Sequence, residues 1–376
     1  MSPRSILIIG GGIAGVSTAW WAARGGADVV LLERERTLGA HSSGLNAAIL
    51  RTASATPELC GLARETSAFL ESPPDGFSPV PLVDRCGLLL FEGTAEAPLP
   101  PWADDFLACG EVERLDPERA RALAPHFAPL GHRAWFFPRE GRIDISALLD
   151  AFARGARHAG AHFHSGAEVA ELVTAGGAVH GARLTDGRVF EADRTVIAAG
   201  GWAGRLGARA GSRLALTPLR RHLLVTQVDG RIDPRWPIVW DERAGFYVRP
   251  ESGGLLLCAC DESDVDPDTC VADPGVKATI ARKAQSLLPD FADAGATHFW
   301  AGMRTFAAVA RPAVGPDPDV PGLFWVAGLG GHGMSTSAAV GRLAARALLA
   351  DSPTAALGDD LMPSRSTNGA RVHGRA

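Results

Sequence analysis

A glycine-rich turn near the start of the chain has the spacing of a dinucleotide-binding site. Residues 10–15 are Gly-Gly-Gly-Ile-Ala-Gly, which matches G-x-G-x-x-G directly after a short apolar run. In such a turn Gly10 permits the sharp bend, Gly12 lets a pyrophosphate approach the backbone, and Gly15 lets helix and strand pack closely. Glu33, about 20 residues further on, can accept hydrogen bonds from a ribose. The spacing predicts a strand–turn–helix–strand unit that binds NAD or FAD.

A second glycine turn, residues 328–333, has the same spacing in a different context. It also follows an apolar strand and precedes a helix with an apolar stripe. No strand ending in an acid follows that helix, so the pattern does not predict a second dinucleotide unit. Free N–H groups at a helix start stabilise negative charge. We therefore expect this turn to lie beside another part of the same cofactor.

Tyr247 is the only tyrosine in a chain of 376 residues that also contains 15 Phe and 9 Trp. It lies in the strand-like stretch 246–250, beside a turn. A phenol at such a place either packs against its neighbours or directs a single hydroxyl at a ligand. The residue pattern alone leaves both possibilities open.

Periodicity indicates the elements that must position these residues. Residues 6–9 and 28–32 have the continuous apolar pattern of buried parallel strands around the first helix. Asp144 has the character of an N-cap for a helix behind it. Further predicted elements are a strand over 161–173, an apolar strand over 195–199, a strand-rich region over 214–260 and a helix over 277–288. The order predicts a nucleotide-binding domain that a second, sheet-rich domain interrupts.

Composition excludes several classes of function. The net charge is -5, and the arginines are scattered rather than clustered, so we expect no nucleic-acid partner. No apolar run approaches the ~20 residues that a membrane span needs. The six cysteines show neither C-x-x-C pairs nor zinc-ligand spacing, so we expect no metal site, reduced thiols and a cytoplasmic location.

Together these motifs resemble the D-amino-acid oxidase superfamily of FAD-dependent oxidoreductases. Its members include glycine and sarcosine oxidases and bacterial D-amino-acid dehydrogenases. The resemblance covers nearly the whole chain, and the stretches that carry it are 10–33, 39–44, 140–144, 196–203 and 328–341. The likeness is strongest to the D-arginine dehydrogenase type, around residues 246–250 and 300–306.

The resemblance implies an α/β fold in which a Rossmann-type FAD-binding domain is interrupted by an antiparallel-sheet-rich substrate domain. The implied FAD-binding domain comprises residues 1–82, 140–212 and 302–362. The implied substrate domain comprises residues 83–139 and 213–301, and a flexible tail follows over 363–376.

The resemblance also implies which residues contact FAD. Those beside the ADP half are Gly10, Gly12, Ile13, Ala14, Gly15, Glu33, Arg34 and, at the adenine, Val169. Those expected along the flavin and its linker are Ser42, Ser43, Gly44, Ala47, Ala48, Ala199, Gly200, Trp202, Gly330, Gly331, Gly333, Met334 and Ser335. In some relatives a residue at the place of His41 bonds FAD covalently; here a non-covalent cofactor is favoured.

The resemblance also implies a ligand-binding role for Tyr247. In the D-arginine dehydrogenase pattern, a Tyr and an Arg at the places of Tyr247 and Arg304 bind the substrate carboxylate. Arg221 is a second candidate, although the neighbouring Arg220 could be the arginine that faces the site. A guanidinium group matches a carboxylate with two parallel hydrogen bonds, and a phenol adds one donor.

Departures from that pattern concern the substrate side chain. Gly87 replaces the glutamate that holds the guanidinium in the D-arginine type, and Ile49, Ser54 and Ser335 replace larger polar residues. The sequence therefore predicts a more apolar pocket that disfavours a cationic side chain. Glycine, an N-substituted glycine or an apolar D-amino acid are the expected substrates.

The implied reaction is oxidation of the Cα–N bond by hydride transfer to the flavin. The resulting imine hydrolyses to a 2-oxo acid and an amine or ammonia, with O₂ or another electron acceptor as partner. No side-chain base is required, and roles for His222 and His332 stay open. The alternatives are a 2-hydroxy-acid dehydrogenase on the same fold, which would use a histidine base, and a non-catalytic flavoprotein subunit.

Overall fold

The computed structural model of the chain describes residues 4–54, 56–94, 96–131, 133–308, 311–354 and 362–363. Apart from Pro363, the predicted tail 363–376 lies outside these residues. The α-helices are α1 Ile13–Arg24, α2 Pro57–Glu71, α3 Ala103–Ala108, α4 Pro117–Leu123, α5 Ile145–His158, α6 Ala203–Arg209, α7 Val276–Leu287 and α8 Ser337–Leu349. Short 3-10 helices span Gly200–Trp202, Pro267–Thr269 and Pro289–Phe291.

The strands fall into two large sheets and two small ones. In the first half of the chain they are β1 Ser5–Ile9, β2 Asp28–Glu33, β3 Ile49–Leu50, β4 Val83–Asp84, β5 Leu88–Glu92, β6 Glu113–Leu115, β7 Arg133–Phe137, β8 Gly141–Ile143, β9 His162–Ser165, β10 Val169–Ala175 and β11 Ala178–Leu184. In the second half they are β12 Val189–Glu191, β13 Arg194–Ile197, β14 Leu216–Thr226, β15 Ile238–Asp241, β16 Phe246–Glu251, β17 Gly254–Cys258, β18 Ser263–Asp264, β19 Ala296–Ala307, β20 Ala313–Pro316 and β21 Leu323–Ala327.

The first large sheet contains the glycine fingerprint. Its order is β20-β21-β13-β1-β2-β9, and all neighbours except the edge pair β20–β21 run parallel. Because both faces are covered, its central strands are buried along almost their whole length, as their continuous apolar sequences predict. Helices α1, α5 and α8 pack on one face in a core that includes Trp20, Phe152 and Val340.

The second large sheet is mostly antiparallel and has nine strands in the order β18-β14-β17-β16-β15-β5-β7-β6, with β19 paired to β14. Strands β14 and β19 form its longest pair, which runs from Leu216 opposite Ala307 to Thr226 opposite Ala296. Directly paired residues share one face of a sheet. Trp240, Tyr247 and Cys258 therefore form one row on neighbouring strands β15, β16 and β17.

One local expectation from the sequence is wrong. The strand predicted over 161–173 is two strands in different sheets, because Gly166 adopts a left-handed backbone (φ 68°) between β9 and β10. The helix predicted after the second glycine turn is confirmed as α8, which begins at Ser337, and in the turn before it Thr336 N–H donates to the carbonyl of His332. Predicted helices α1, α5 and α7 and the Asp144 N-cap are confirmed.

The domain boundaries remain a proposal. All strands of the six-stranded sheet come from residues 1–82, 140–212 and 302–362, the segments assigned to the FAD-binding domain. The proposed boundary between 301 and 302 falls inside β19, which continues from the nine-stranded sheet. Among the described helices, none is long and apolar enough to cross a membrane.

The contact between α1 and β1 generates a stability prediction. A methyl group at Gly15 would overlap the carbonyl oxygen of Gly10, which belongs to the strand–helix turn and has no room to shift. We expect Gly15→Ala to lower the free energy of unfolding by about 1–3 kcal/mol, the usual cost of overpacking. Urea unfolding followed by circular dichroism measures this change.

Gly61→Ala is the matched control, because Gly61 lies in α2 with open space where the methyl would go. This control is expected to be neutral or to stabilise by up to ~1 kcal/mol, since alanine is the better helix former. Equal unfolding curves for the two variants would contradict the close packing of α1 on β1.

Candidate active site

A cavity of about 660 Å³ is lined by residues of both large sheets. This volume lies within the range of roughly 300–1,000 Å³ that is usual for ligand sites. The lining includes every predicted cofactor and anchor residue except Gly15 and Gly44. Those two glycines lie behind it, where a side chain would collide with the carbonyl oxygens of Gly10 and Gly39.

The fingerprint turn forms one end of the cavity. Glu33 accepts hydrogen bonds from Gly11 N–H at 2.6 Å and from Glu35 N–H at 2.7 Å. The Ser43 hydroxyl accepts from Ile13 N–H at 2.9 Å, in the first turn of α1. A carboxylate has about four acceptor positions, so Glu33 retains capacity for a ribose. The first turn of α1 contains no acidic residue, so no carboxylate in that turn competes with a phosphate for the positive end of the helix dipole.

Arg34, His41 and Trp202 form a cluster at the cavity mouth. The Arg34 guanidinium lies 4.0 Å from the centroid of the Trp202 ring, and the His41 ring lies 4.7 Å from it. Trp202 donates its ring N–H to Asp268 at 2.6 Å. His41 Nε2 lies 2.9 Å from Glu35 Oε1, and this hydrogen bond is the main cause that lowers the pKa of Glu35. The His41 imidazole is thus held by its hydrogen bond to Glu35 and its contact with Trp202.

The second glycine turn also lines the cavity. Gly330 is left-handed (φ 53°), and a side chain there would meet the ring of Phe306 at 2.6 Å. Ser335 accepts a hydrogen bond from Arg51 N–H at 3.0 Å and donates to the carbonyl of Ile49 at 3.2 Å. Burial, followed by the positive charges of Arg51 and Arg304, lowers the pKa of His332 to about 4. His332 is therefore neutral at neutral pH.

Two arginines reach the cavity from β14 and β19. Arg221 pairs with Gly302, two residues from Arg304, so Arg221 and Arg304 share one face of the sheet as diagonal neighbours. Arg220 points away and contacts Ser263, the carbonyl of Val271 and Asp273. The question of which arginine faces the site is therefore answered in favour of Arg221.

Glu262 holds both arginines. Its Oε1 atom accepts from Nη2 of Arg304 and, at 3.3 Å, from Nη2 of Arg221. Arg221 also donates to the carbonyls of Asp261 and Cys260 at 3.2 and 3.1 Å. In the described part of the chain, the buried Nε atom of Arg304 has no hydrogen-bond partner. Arg304 also lines the cavity, and a guanidinium group is chemically suited to an incoming carboxylate.

Tyr247 lies beside these arginines in the cavity wall and is 5% exposed. Burial raises the pKa of Tyr247, so the phenol stays protonated and can donate a hydrogen bond. Its neighbour Cys258 experiences opposing effects. Burial raises the pKa of that thiol, but hydrogen bonds from Cys260 and Tyr247 and the charge of Arg221 lower it below its usual value.

Several residues of the cavity wall were not predicted from the sequence, namely Arg51, Trp102, Trp240 and Glu242. Arg51 Nη2 lies 2.5 Å from Glu242 Oε1. The prediction that the pocket has lost its carboxylate is therefore wrong, because Glu242 lines the cavity. Arg51 and Glu242 are far apart in the chain, and no local pattern indicates that they pair.

Gly87 and His222 lie outside the cavity lining. Gly87 is left-handed (φ 82°), and a side chain there would meet the Phe136 ring at 2.6 Å, so no glutamate could replace it without rearrangement. His222 lies 2.6 Å from Asp261 and accepts from Asp273 N–H at 2.8 Å. These bonds give His222 a structural role in the segment that follows β17.

A fingerprint turn, a second glycine turn and a wall with two arginines in one cavity are the features expected of a dinucleotide-dependent oxidoreductase. The chain belongs to the DAO family of FAD-dependent oxidoreductases, whose family model matches residues 5–347. The resemblance to the D-amino-acid oxidase superfamily and the FAD cofactor are thereby confirmed, and the stronger likeness to the D-arginine dehydrogenase type stays a prediction. Residues of the described cavity suit FAD, since the ribose acceptor, the free helix end and the glycine turns are all present.

Known relatives agree with this assignment. The chain is 27% identical over 366 residues to glycine oxidase of Geobacillus kaustophilus. The aligned region covers 90% of this chain and 91% of that protein. The crystal structure of that enzyme has a TM-score of 0.78 and covers 93% of this chain and 95% of its own, which confirms the fold class. The chain is also 26% identical over 367 residues to a 4-methylaminobutanoate oxidase (formaldehyde-forming) of Paenarthrobacter nicotinovorans, with 92% of this chain but only 44% of that longer protein covered.

Glu33 generates a prediction about cofactor retention. Replacing Glu33 by alanine removes the predicted ribose acceptor and its hydrogen bonds from Gly11 N–H in the fingerprint turn and from Glu35 N–H after β2. A hydrogen bond to a charged group is worth about 1.5–3 kcal/mol, so we expect the FAD dissociation constant to rise about ten- to a hundredfold. Titration of the apoprotein with FAD measures this change.

Glu171→Ala provides the control, because Glu171 is exposed on β10 and forms a surface ion pair with Arg183. An unchanged FAD affinity in Glu33→Ala would contradict its assignment to the ribose.

The same protein preparations test whether FAD is covalently bound. We expect heat to release the flavin from the denatured chain, and a flavin that stays with the denatured chain would show a covalent bond.

Proposed function

We propose that the protein oxidises the Cα–N bond of glycine, an N-substituted glycine or a small D-amino acid. Bound FAD supplies the hydride acceptor, and the imine formed from the substrate hydrolyses to a 2-oxo acid and an amine or ammonia. The observation that carries this proposal is the pair Arg304 and Arg221 in the cavity wall, beside the second glycine turn.

The chain's own residues bind and orient the substrate. Arg304 and Arg221 share one counter-ion, Glu262, so the pair keeps a net positive charge that a substrate carboxylate complements. Tyr247 adds a protonated hydroxyl on the same wall. A carboxylate held at this wall fixes the α-carbon relative to the flavin, and such alignment supplies much of the barrier reduction.

The names of the relatives support an amine substrate. One similar protein is a glycine oxidase and another is a 4-methylaminobutanoate oxidase. Both names describe oxidation next to nitrogen. The electron acceptor, O₂ or another oxidant, and a cytoplasmic location remain predictions from the sequence.

A 2-hydroxy-acid dehydrogenase is the second candidate, because the neutral His332 lies in the cavity wall and could accept a hydroxyl proton. A pKa of about 4 makes this imidazole a weak base, since efficient general bases have pKa values near the working pH. An amine needs no such base once it is neutral. The cavity thus favours the amine over the hydroxy acid.

The decisive experiment is anaerobic bleaching of the flavin. We expect glycine, N-alkylglycines or small D-amino acids to reduce the FAD of the wild-type protein, and D-lactate not to. Arg304→Lys should lower kcat/KM by about tenfold or more, because lysine loses the fork that binds a carboxylate with two bonds. Bleaching by hydroxy acids alone would establish the second candidate, and no bleaching by either class would refute both.

Tyr247→Phe tests the hydroxyl of the only tyrosine. If the phenol binds the substrate carboxylate, kcat/KM should fall about ten- to a hundredfold, while FAD content and melting temperature stay unchanged. Steady-state kinetics and a thermal melt provide both measurements. A change in kcat/KM below about twofold would mean that the hydroxyl serves only Cys258 and the packing of the strand.

A further inference from the structure

A second pair of opposite charges lies in the cavity wall, apart from the carboxylate anchor. Arg51 directly follows β3, and Glu242 directly follows β15. Their side chains are 10% and 30% exposed, and both line the cavity. The pair is therefore largely enclosed, and both residues border the space that a ligand would fill.

The Arg51 guanidinium is held in place by the protein itself. Its Nε atom donates to the carbonyl of Ala53 at 3.0 Å, and Nη2 lies 2.5 Å from Glu242. The guanidinium carbon lies 4.5 Å from the centroid of the Trp240 ring, which is a cation–π contact. A guanidinium fixed on three sides is preorganised, so a ligand would not have to order it.

The pair lies within reach of a small ligand bound at the anchor. Trp240, below Arg51, packs against Tyr247 of the anchor with ring centroids 4.7 Å apart. The positive charges of Arg51 and Arg304 both lower the pKa of the same imidazole, His332. A substrate whose carboxylate is at Arg304 can thus direct its side chain or N-substituent towards Arg51 and Glu242.

We propose that Arg51 and Glu242 form a subsite that selects a neutral hydrogen-bonding group, such as a carboxamide or hydroxyl, on the substrate. The proposal rests on the function proposed above. A carboxamide donates to Glu242 and accepts from Arg51 while the ion pair stays intact. An anion would be repelled by Glu242 and a cation by Arg51, and either would have to break an enclosed ion pair. An apolar group would bury the pair without replacing its water.

The test uses two ligands that differ only in their distal group. Glutaramate and glutarate are D-glutamine and D-glutamate without the amine, so they bind without being oxidised. Their dissociation constants are measured on the FAD-loaded full chain from the change in flavin absorbance. We expect the wild-type protein to bind glutaramate at least about tenfold more tightly, because a second carboxylate faces Glu242.

Glu242→Gln should reduce that preference by about tenfold or invert it, since an unpaired Arg51 then attracts the distal carboxylate. Glu242→Asp keeps the charge and should keep the preference for glutaramate. Asp264→Asn removes the same charge from an exposed position on β18 and should leave the ratio unchanged. FAD content and melting temperature of each variant establish that it is folded.

The outcomes separate the subsite from the anchor. If the wild-type protein binds both ligands equally, or if Glu242→Gln changes their ratio by less than about twofold, the subsite is wrong and the anchor stands. If the wild-type protein binds neither ligand but glycine or an N-alkylglycine still bleaches the flavin, the subsite is wrong and the anchor stands. If it binds neither ligand and no amino acid bleaches the flavin, the anchor, the proposed function and the subsite are all wrong.

Discussion

The close approach of α1 to β1 is the constraint on which the cavity depends. Gly15 lies so near the carbonyl of Gly10 that no side chain fits between helix and strand. This packing brings the first turn of α1 to the carboxyl end of β1. The neighbouring parallel strands β2 and β13 end at the same edge, which places Glu33 and residues 198–200 around that turn. The cofactor end of the cavity follows from this geometry.

The long pair of β14 and β19 connects that end with the substrate side. It carries Arg221 and Arg304 on one face, and its last residues reach the second glycine turn. Phe306 pairs with Leu329, and Gly330 N–H donates to the carbonyl of Thr305 at 2.9 Å. The two arginines and the second glycine turn therefore belong to one hydrogen-bonded unit. Such a unit can hold a bound carboxylate at a constant position relative to the cofactor.

Buried charge in the cavity wall is balanced within the protein. Glu262 serves Arg304 and Arg221, and Glu242 serves Arg51. These carboxylates offset the buried positive charge of the arginines even without a ligand. The balance is incomplete at the anchor, where two arginines share one carboxylate. That excess positive charge distinguishes the anchor from the electrically neutral Arg51–Glu242 pair.

The sequence by itself determined the features that depend on local spacing. Glycines at fixed offsets, an acid after β2, apolar strand patterns and the Asp144 cap are short-range signals, because each reflects the geometry of one turn or one strand. The resemblance carried by those motifs also indicated Arg304 and Tyr247. Tertiary structure alone decided that Arg221 rather than Arg220 faces the cavity, since this depends on the register of β14 against β19. It also decided that Glu262 and Glu242 supply the counter-charges. Such partners lie far apart in the chain, and only the folded backbone brings them within hydrogen-bonding distance.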